Sequence, residues 1–189
     1  PELYQVRYRA PGSEDIAREV ISLIHASWIE GDFHEDDQRG FDHGVWSTLI
    51  HLFPEADIPV ICVSLDYFAT PEQHFNFWKT ISALREQGIM IIWSGNIVHN
   101  LRMIDWSGEN PWHNWAIEFD QKITDAIIHN DIASILSSLS WDTAKLAHPS
   151  YDHLLPLFPL LWSLDETDSI EFFTPDIVMG SLSMRSMLC

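Results

Sequence analysis

Basic side chains and cysteine are scarce in this sequence, and long apolar runs are missing from it. Ten Lys and Arg stand against 28 Asp and Glu in 189 residues, a formal charge of −18 at pH 7. Such a field repels a phosphate backbone, so nucleic acid is not expected as a partner. The acidic excess itself reads as solubility. The two cysteines, Cys62 and Cys189, are too few for a disulfide scaffold, and Cys62 lies inside an apolar run; a reduced, cytoplasmic setting is expected. No apolar run reaches the ~18 residues needed to span a bilayer, and no basic-then-apolar leader is present, so neither a membrane nor secretion is expected.

Several chemistries are excluded by missing motifs. None of the ten histidines forms an H-x-x-x-H pair, which removes a zinc-protease reading, and the lack of C-x-x-C removes structural zinc. G-x-S-x-G, G-x-x-x-x-G-K and G-x-G-x-x-G are all absent as well.

What is present is an ordinary globular balance, 46% hydrophobic and 20% charged, in a length that suits one domain over residues 1–189. Ser13 followed by Glu14 and Asp15 reads as a helix start, and Ile16, Val20, Leu23, Ile24 and Trp28 recur at helical spacing. Residues 31–40 are polar and acidic, hence a loop, and 44–53 predict a short helix stopped by Pro54. Pro59 to Leu65 is β-branched and apolar on both faces, which predicts a central parallel strand. Thr70-Pro71-Glu72 opens a helix with Pro at its first position, Gly88 fits the end, and Ile89 to Ser94 predicts a second buried strand. Strand, helix and strand in this span form a right-handed βαβ unit. The remainder reads as helices over 115–129 and 132–139, a Pro-interrupted apolar segment over 151–164, and closing strands over 169–173 and 177–184. The expected fold class is α/β, with a central, mostly parallel sheet flanked by helices.

In such sheets the ligand site lies beyond the carboxyl ends of the parallel strands, which selects the loops 66–70 and 95–100. The second follows a buried strand with Gly95, then Asn96, His99 and Asn100. Imidazole suits both proton transfer near neutral pH and divalent metal binding, although His99 would serve equally to hydrogen-bond a helix start. In Gly40-Phe41-Asp42-His43-Gly44 two glycines bracket an Asp-His pair, so the backbone can approach a ligand closely; a helix capped by Asp42 explains the same residues. Asp152-His153 opens an apolar segment, again as a pocket histidine or as a cap and its neighbour. The nine tryptophans read mainly as core, though Trp46, Trp93, Trp106, Trp112 and Trp115 flank the candidate loops and could wall an aromatic pocket.

Taken together these segments resemble the class III extradiol dioxygenase superfamily, in its DOPA 4,5-dioxygenase-like branch. The likeness runs from Leu3-Tyr4 and Tyr8 to Ser13, through GFDHGVW at 40–46 and FPEADIPV at 53–60. It continues through LREQGIMIIWSGNIVHNLR at 84–102 and HLLP at 153–156 to MGSLSM at 179–184. GFDHG-x-W and SGN-x-VHNLR are its most specific parts. The resemblance implies an α/β fold around one non-haem metal, working Fe(II) with Zn(II) able to occupy the same site, and the opening of a catechol ring by O2 to a semialdehyde. Neutral N and O ligands with open positions suit such an iron. The resemblance implies that His153 is a metal ligand and that His99 is the acid/base with occasional metal contact. It makes His43, supported by Asp42, a second proton-handling or orienting group. Asn96 and Trp46 are the expected substrate contacts.

The family's first two metal histidines lie in a G-H-G-S-P turn and an S-A-H-W strand end, and neither motif occurs here. With Pro1 in place of Met, the expectation is a chain lacking the N-terminal part of the domain and inactive alone, within an intact protein that cleaves catechols. A shortened, non-catalytic binding module is the alternative. Oligomeric state stays open, although exposed core in a fragment would promote association into homo-oligomers.

Overall fold

Helix formation follows the caps. In the computed structural model, which describes residues 5–26, 33–109, 112–162, 164 and 168–189, α1 (Glu14–Ala26) begins where the Ser13 hydroxyl accepts the Ile16 amide at 3.3 Å. Pro1, Leu3, Tyr4, Trp28 and Gly31, named above, lie outside the described residues, as does position 163 of the 151–164 segment. Helix α2 (His43–Leu52) is capped by the Asp42 side chain on the Val45 amide. Helix α3 (Pro71–Ile81) carries a reciprocal capping box between Thr70 and Gln73 and passes into a 3-10 turn, Ser82–Gln87. That turn ends on Gly88 at φ +77°, a left-handed geometry that glycine adopts without the Cβ clash. Then come α4 (Asn114–Ile128), α5 (Ile132–Ser137), α6 (Ala144–Ala147) and α7 (Leu157–Trp162).

The strands differ from expectation. The segments 59–65 and 89–94 run without assigned strand pairing, and the ladders among the described residues are two small antiparallel pairs near the C-terminus. Strand β1 (Glu171–Phe173) pairs with β4 (Ser186–Leu188), and β2 (Ile177–Val178) with β3 (Leu182–Ser183). The two central segments are also not buried on both sides. Their side chains alternate, with Ile61, Val63, Leu65, Ile89, Ile91 and Trp93 packed inward, while Met90 and Ile92 are 69% and 40% exposed. A period of two is that of an extended chain with one covered face, so apolar content alone overstated how enclosed these segments are.

The buried side chains form two clusters that share Leu65 at their margins. One joins α1 to α3 through Val20, Ile24, Trp78 and Ile81, with the Trp93 ring edge-on to Trp78 at 4.2 Å. The larger wraps α4, whose Ala116, Phe119, Ile123 and Ile127 meet Val98, Ala147, Leu154 and Phe158. The tail is tied to α4 by a buried pair: Arg185 donates to Asp120 at 2.6 and 2.9 Å, and the Ser183 hydroxyl donates to the same carboxylate at 2.6 Å. No helix among the described residues is long and apolar enough to cross a membrane.

Candidate active site

The loop 95–100 is held on two sides by backbone and amide hydrogen bonds. Toward the C-terminal ribbon, the Ser183 amide donates to the Val98 carbonyl at 3.0 Å and the Asn100 amide to the Ser181 carbonyl at 3.2 Å, an antiparallel bridge centred on His99 and Leu182. The Asn96 side chain donates to the Ser183 carbonyl at 2.7 Å. Toward residues 146–153, the Asn96 amide donates to the His153 carbonyl at 2.8 Å and the His99 amide to the Ala147 carbonyl at 2.9 Å. The Asn100 side chain donates to the Leu146 carbonyl at 2.7 Å.

Glycine is required where the loop begins. A Cβ on Gly95 would fall inside van der Waals contact with the His153 carbonyl oxygen and 3.0 Å from the Pro156 ring. Gly44 serves a similar closeness, since a Cβ there would sit 3.2 Å from the Asp42 carboxylate and 3.4 Å from the Ser94 hydroxyl, which lets the start of α2 approach the end of segment 89–94.

This stitching brings three histidines from distant parts of the chain together. The His99 and His153 rings stack, with centroids 3.5 Å apart and planes 16° from parallel, and the His43 ring lies 6.3 Å from His153. Burial first, then the neighbouring His153 and His43, hold His99 below the ordinary imidazole range, with Asp152 opposing. Burial likewise lowers His153 despite Asp152, whose carboxylate is 3.6 Å from the His153 Nε2, and His43 adds to the lowering. Both rings are therefore neutral at pH 7, and a proton taken up by one opposes protonation of the other. The pair can act as a general base on a weakly acidic hydroxyl and afterwards return the proton.

Comparison with known proteins gives the family of the chain. Residues 2–178 match the family described as the catalytic LigB subunit of aromatic ring-opening dioxygenase. The chain belongs to the LigB family. It is 34% identical over 188 residues to a 4,5-DOPA dioxygenase extradiol of Escherichia coli (strain K12), covering 98% of this chain and 68% of that protein. It is 35% identical over 164 residues to the protein of the same name from Mirabilis jalapa, covering 82% of this chain and 57% of the relative. A solved structure of an uncharacterized Escherichia coli K12 protein superposes with a TM-score of 0.88 at 34% identity, covering 98% of this chain and 76% of the other. The fold is that of an α/β LigB-family dioxygenase, and the chain spans between about half and two thirds of the length of these two curated relatives.

Within the LigB-family frame the expected site residues fall into two groups. His99, His153 and His43 come together. Asp42 caps α2 and lies 3.6 Å from Arg39, Asn96 directs its amide to the ribbon, and Trp46 is partly buried on α2. Trp106 is 80% and Trp112 53% exposed, so neither belongs to the core expected of the tryptophans as a set. The other loop, 66–70, lends Tyr67 and Ala69 to a separate cavity of about 320 Å³ beside His74 and Tyr151.

A metal does not fit the residues as placed. Among the described residues no group of three or more His, Cys, Asp or Glu side chains could hold one. The nitrogens of two parallel stacked rings run side by side rather than converging on a point ~2.0–2.1 Å from each, as an imidazole-bound ion of this type demands.

One residue of the site went unread in the sequence. His148 is buried, and its Nε2 donates to the Ile97 carbonyl at 2.6 Å. Burial pulls its pKa down to about 4, so the ring is neutral. The available signal was the dipeptide His148-Pro149, because proline removes a backbone donor at that point.

Proposed function

We propose that the protein carrying this sequence is an extradiol dioxygenase that opens a small catechol with O2, and that the His99–His153 pair handles the catechol protons. The observation that carries this reading is the stacking of His99, on the 95–100 loop, with His153 of the facing segment, both rings held below the ordinary imidazole range, with His43 beside them. In this reading a neutral imidazole at His99 takes a proton from a catechol hydroxyl and later returns one to the opened product. Asp152 helps to hold the charge at His99 in between, and His43 orients the substrate with Asp42 anchoring the start of its helix. Trp46 and Asn96 supply the aromatic wall and a polar contact.

The cofactor in this reading is Fe(II), with Zn(II) as a substitute. His153 would contribute to holding it, His99 only where its ring turns out of the stack, and further ligands are to be sought in the part of the relatives' length that this chain does not span. The same reading takes segments 59–65 and 89–94 as strands of a central parallel sheet. The names of the relatives, 4,5-DOPA dioxygenase extradiol, support the substrate class.

Oxygen uptake by the iron-loaded full gene product, with DOPA and with caffeate, tests the proposal; a yellow ring-opened product is expected, and no uptake with either catechol would count decisively against it. Replacing His99 by Ala should lower turnover about 100-fold or more, the usual scale of general acid–base catalysis, while metal content falls less. Proportional loss of both would make His99 a ligand first. The second reading, a non-catalytic homologue that binds a partner, is favoured by the lack of a three-ligand group among the described residues.

A further inference from the structure

The loop 95–100 lies antiparallel to residues 146–153, and the rungs between them are unequal. At one end the Asn96 amide meets the His153 carbonyl; at the other the His99 amide meets the Ala147 carbonyl and the Asn100 side chain meets the Leu146 carbonyl. Between these ends the Ile97 carbonyl needs a donor. The His148 amide is already committed to the Ala144 carbonyl at 2.7 Å, capping the C-terminal end of α6, and Pro149 has no N–H to give. The donor is instead the His148 side chain, Nε2 to oxygen at 2.6 Å.

A carbonyl only accepts, so this bond fixes the proton on Nε2 and leaves Nδ1 bare, consistent with the absence of a partner at that buried nitrogen. The ring is 2% exposed and wedged edge-to-face against Phe119 at 5.6 Å, which leaves it little freedom to turn away. It thus forms a side-chain rung between the backbone rung that ends on His153 and the one that begins on His99.

We infer that His148 is a positioning residue for the reactive pair: its Nε2–H donates to the Ile97 carbonyl in place of the donor that Pro149 lacks, and so sets the register that stacks His99 on His153. The inference rests on reading His99 and His153 as that pair. It predicts that what matters at position 148 is a donor at the reach of Nε2. Gln supplies one at the same number of bonds from Cβ, whereas Leu fills similar space without it.

The test uses histidine-labelled full chain and NMR. The wild type should show a strong nuclear Overhauser contact between the His99 and His153 rings and the upfield shifts of stacked rings. His148→Gln should keep both, and His148→Leu should lose both while its circular dichroism stays native. A folded His148→Leu that keeps the ring contact overturns the inference, as does a folded His148→Gln that loses it. If His148→Leu does not fold, His148→Gln decides alone; if neither folds, His148 is a general structural residue and the inference fails. Lack of catechol turnover by the wild-type gene product would sink the dioxygenase reading but leave the ring contact measurable, so the two failures are distinguishable.

Discussion

At the scale of single residues, the site is governed by which groups are kept neutral. His148 has a folded pKa of about 4 against an ordinary 6.5, because burial disfavours its cation. The unfolded chain then binds more protons than the folded one between those values. Stability from this residue is complete above pH 6.5 and is lost as the pH falls toward 4, at about 1.4 kcal/mol per unit. Between pH 7 and pH 5 this single residue should therefore cost about 2 kcal/mol of unfolding free energy. His99 and His153, also lowered, act in the same direction. Urea denaturation at the two pH values should show the wild type losing more stability on acidification than His148→Gln does. Equal losses in the two proteins would show that His148 is protonated in the fold.

At the scale of elements, the sequence was legible wherever a local device decides the outcome. Thr70 before Pro71, Ser13 before an acidic turn, and Gly88 after Gln87 act within a few residues of themselves, and the helices start or stop where those signals stand. The segments 59–65 and 89–94 were legible as extended chain but not in their pairing, since hydrogen-bond partners and the second face are supplied by distant residues. The candidate site was half legible for the same reason. Gly95 and His99 announce a tight turn and an imidazole, but nothing local reveals that His153 would stack on His99, or that His148 would replace a backbone donor.

Gly95 gives this scale its own prediction. Gly95→Ala drives a methyl group into the His153 carbonyl and the Pro156 ring, so either the 95–100 loop or the 153–156 turn must move. Backbone is the obstacle, so relief is expensive, and overpacking of this kind costs about 1–3 kcal/mol or more. Gly12→Ala meets nothing within 4 Å and should change stability by no more than about 0.5 kcal/mol. Paired chemical denaturation curves check this, and a Gly95→Ala midpoint equal to that of Gly12→Ala would mean that the two segments are looser than their hydrogen bonds imply.

At the scale of the whole molecule, three features point the same way. The LigB-family match covers residues 2–178, yet the chain spans 68% of the Escherichia coli relative and 57% of the Mirabilis jalapa one. Met90 and Ile92 turn apolar side chains outward from segment 89–94, on a face that a parallel-sheet protein would cover. His43, His99 and His153 meet, but no three-ligand group forms among the described residues. Two imidazoles without a third partner hold a first-row divalent ion weakly, because the coordination number and geometry that such sites use are not met. The 189-residue chain alone, loaded with Fe(II) or Zn(II) and passed through a desalting column, should accordingly retain well under one ion per chain and consume no O2 with DOPA. The Escherichia coli 4,5-DOPA dioxygenase extradiol, treated identically, is the positive control. Metal analysis and an oxygen electrode read the two quantities separately. Retention of a full equivalent without uptake would restore the ligand set but leave the chemistry open, whereas robust uptake by this chain would mean that its ligands lie elsewhere than His153 and His99.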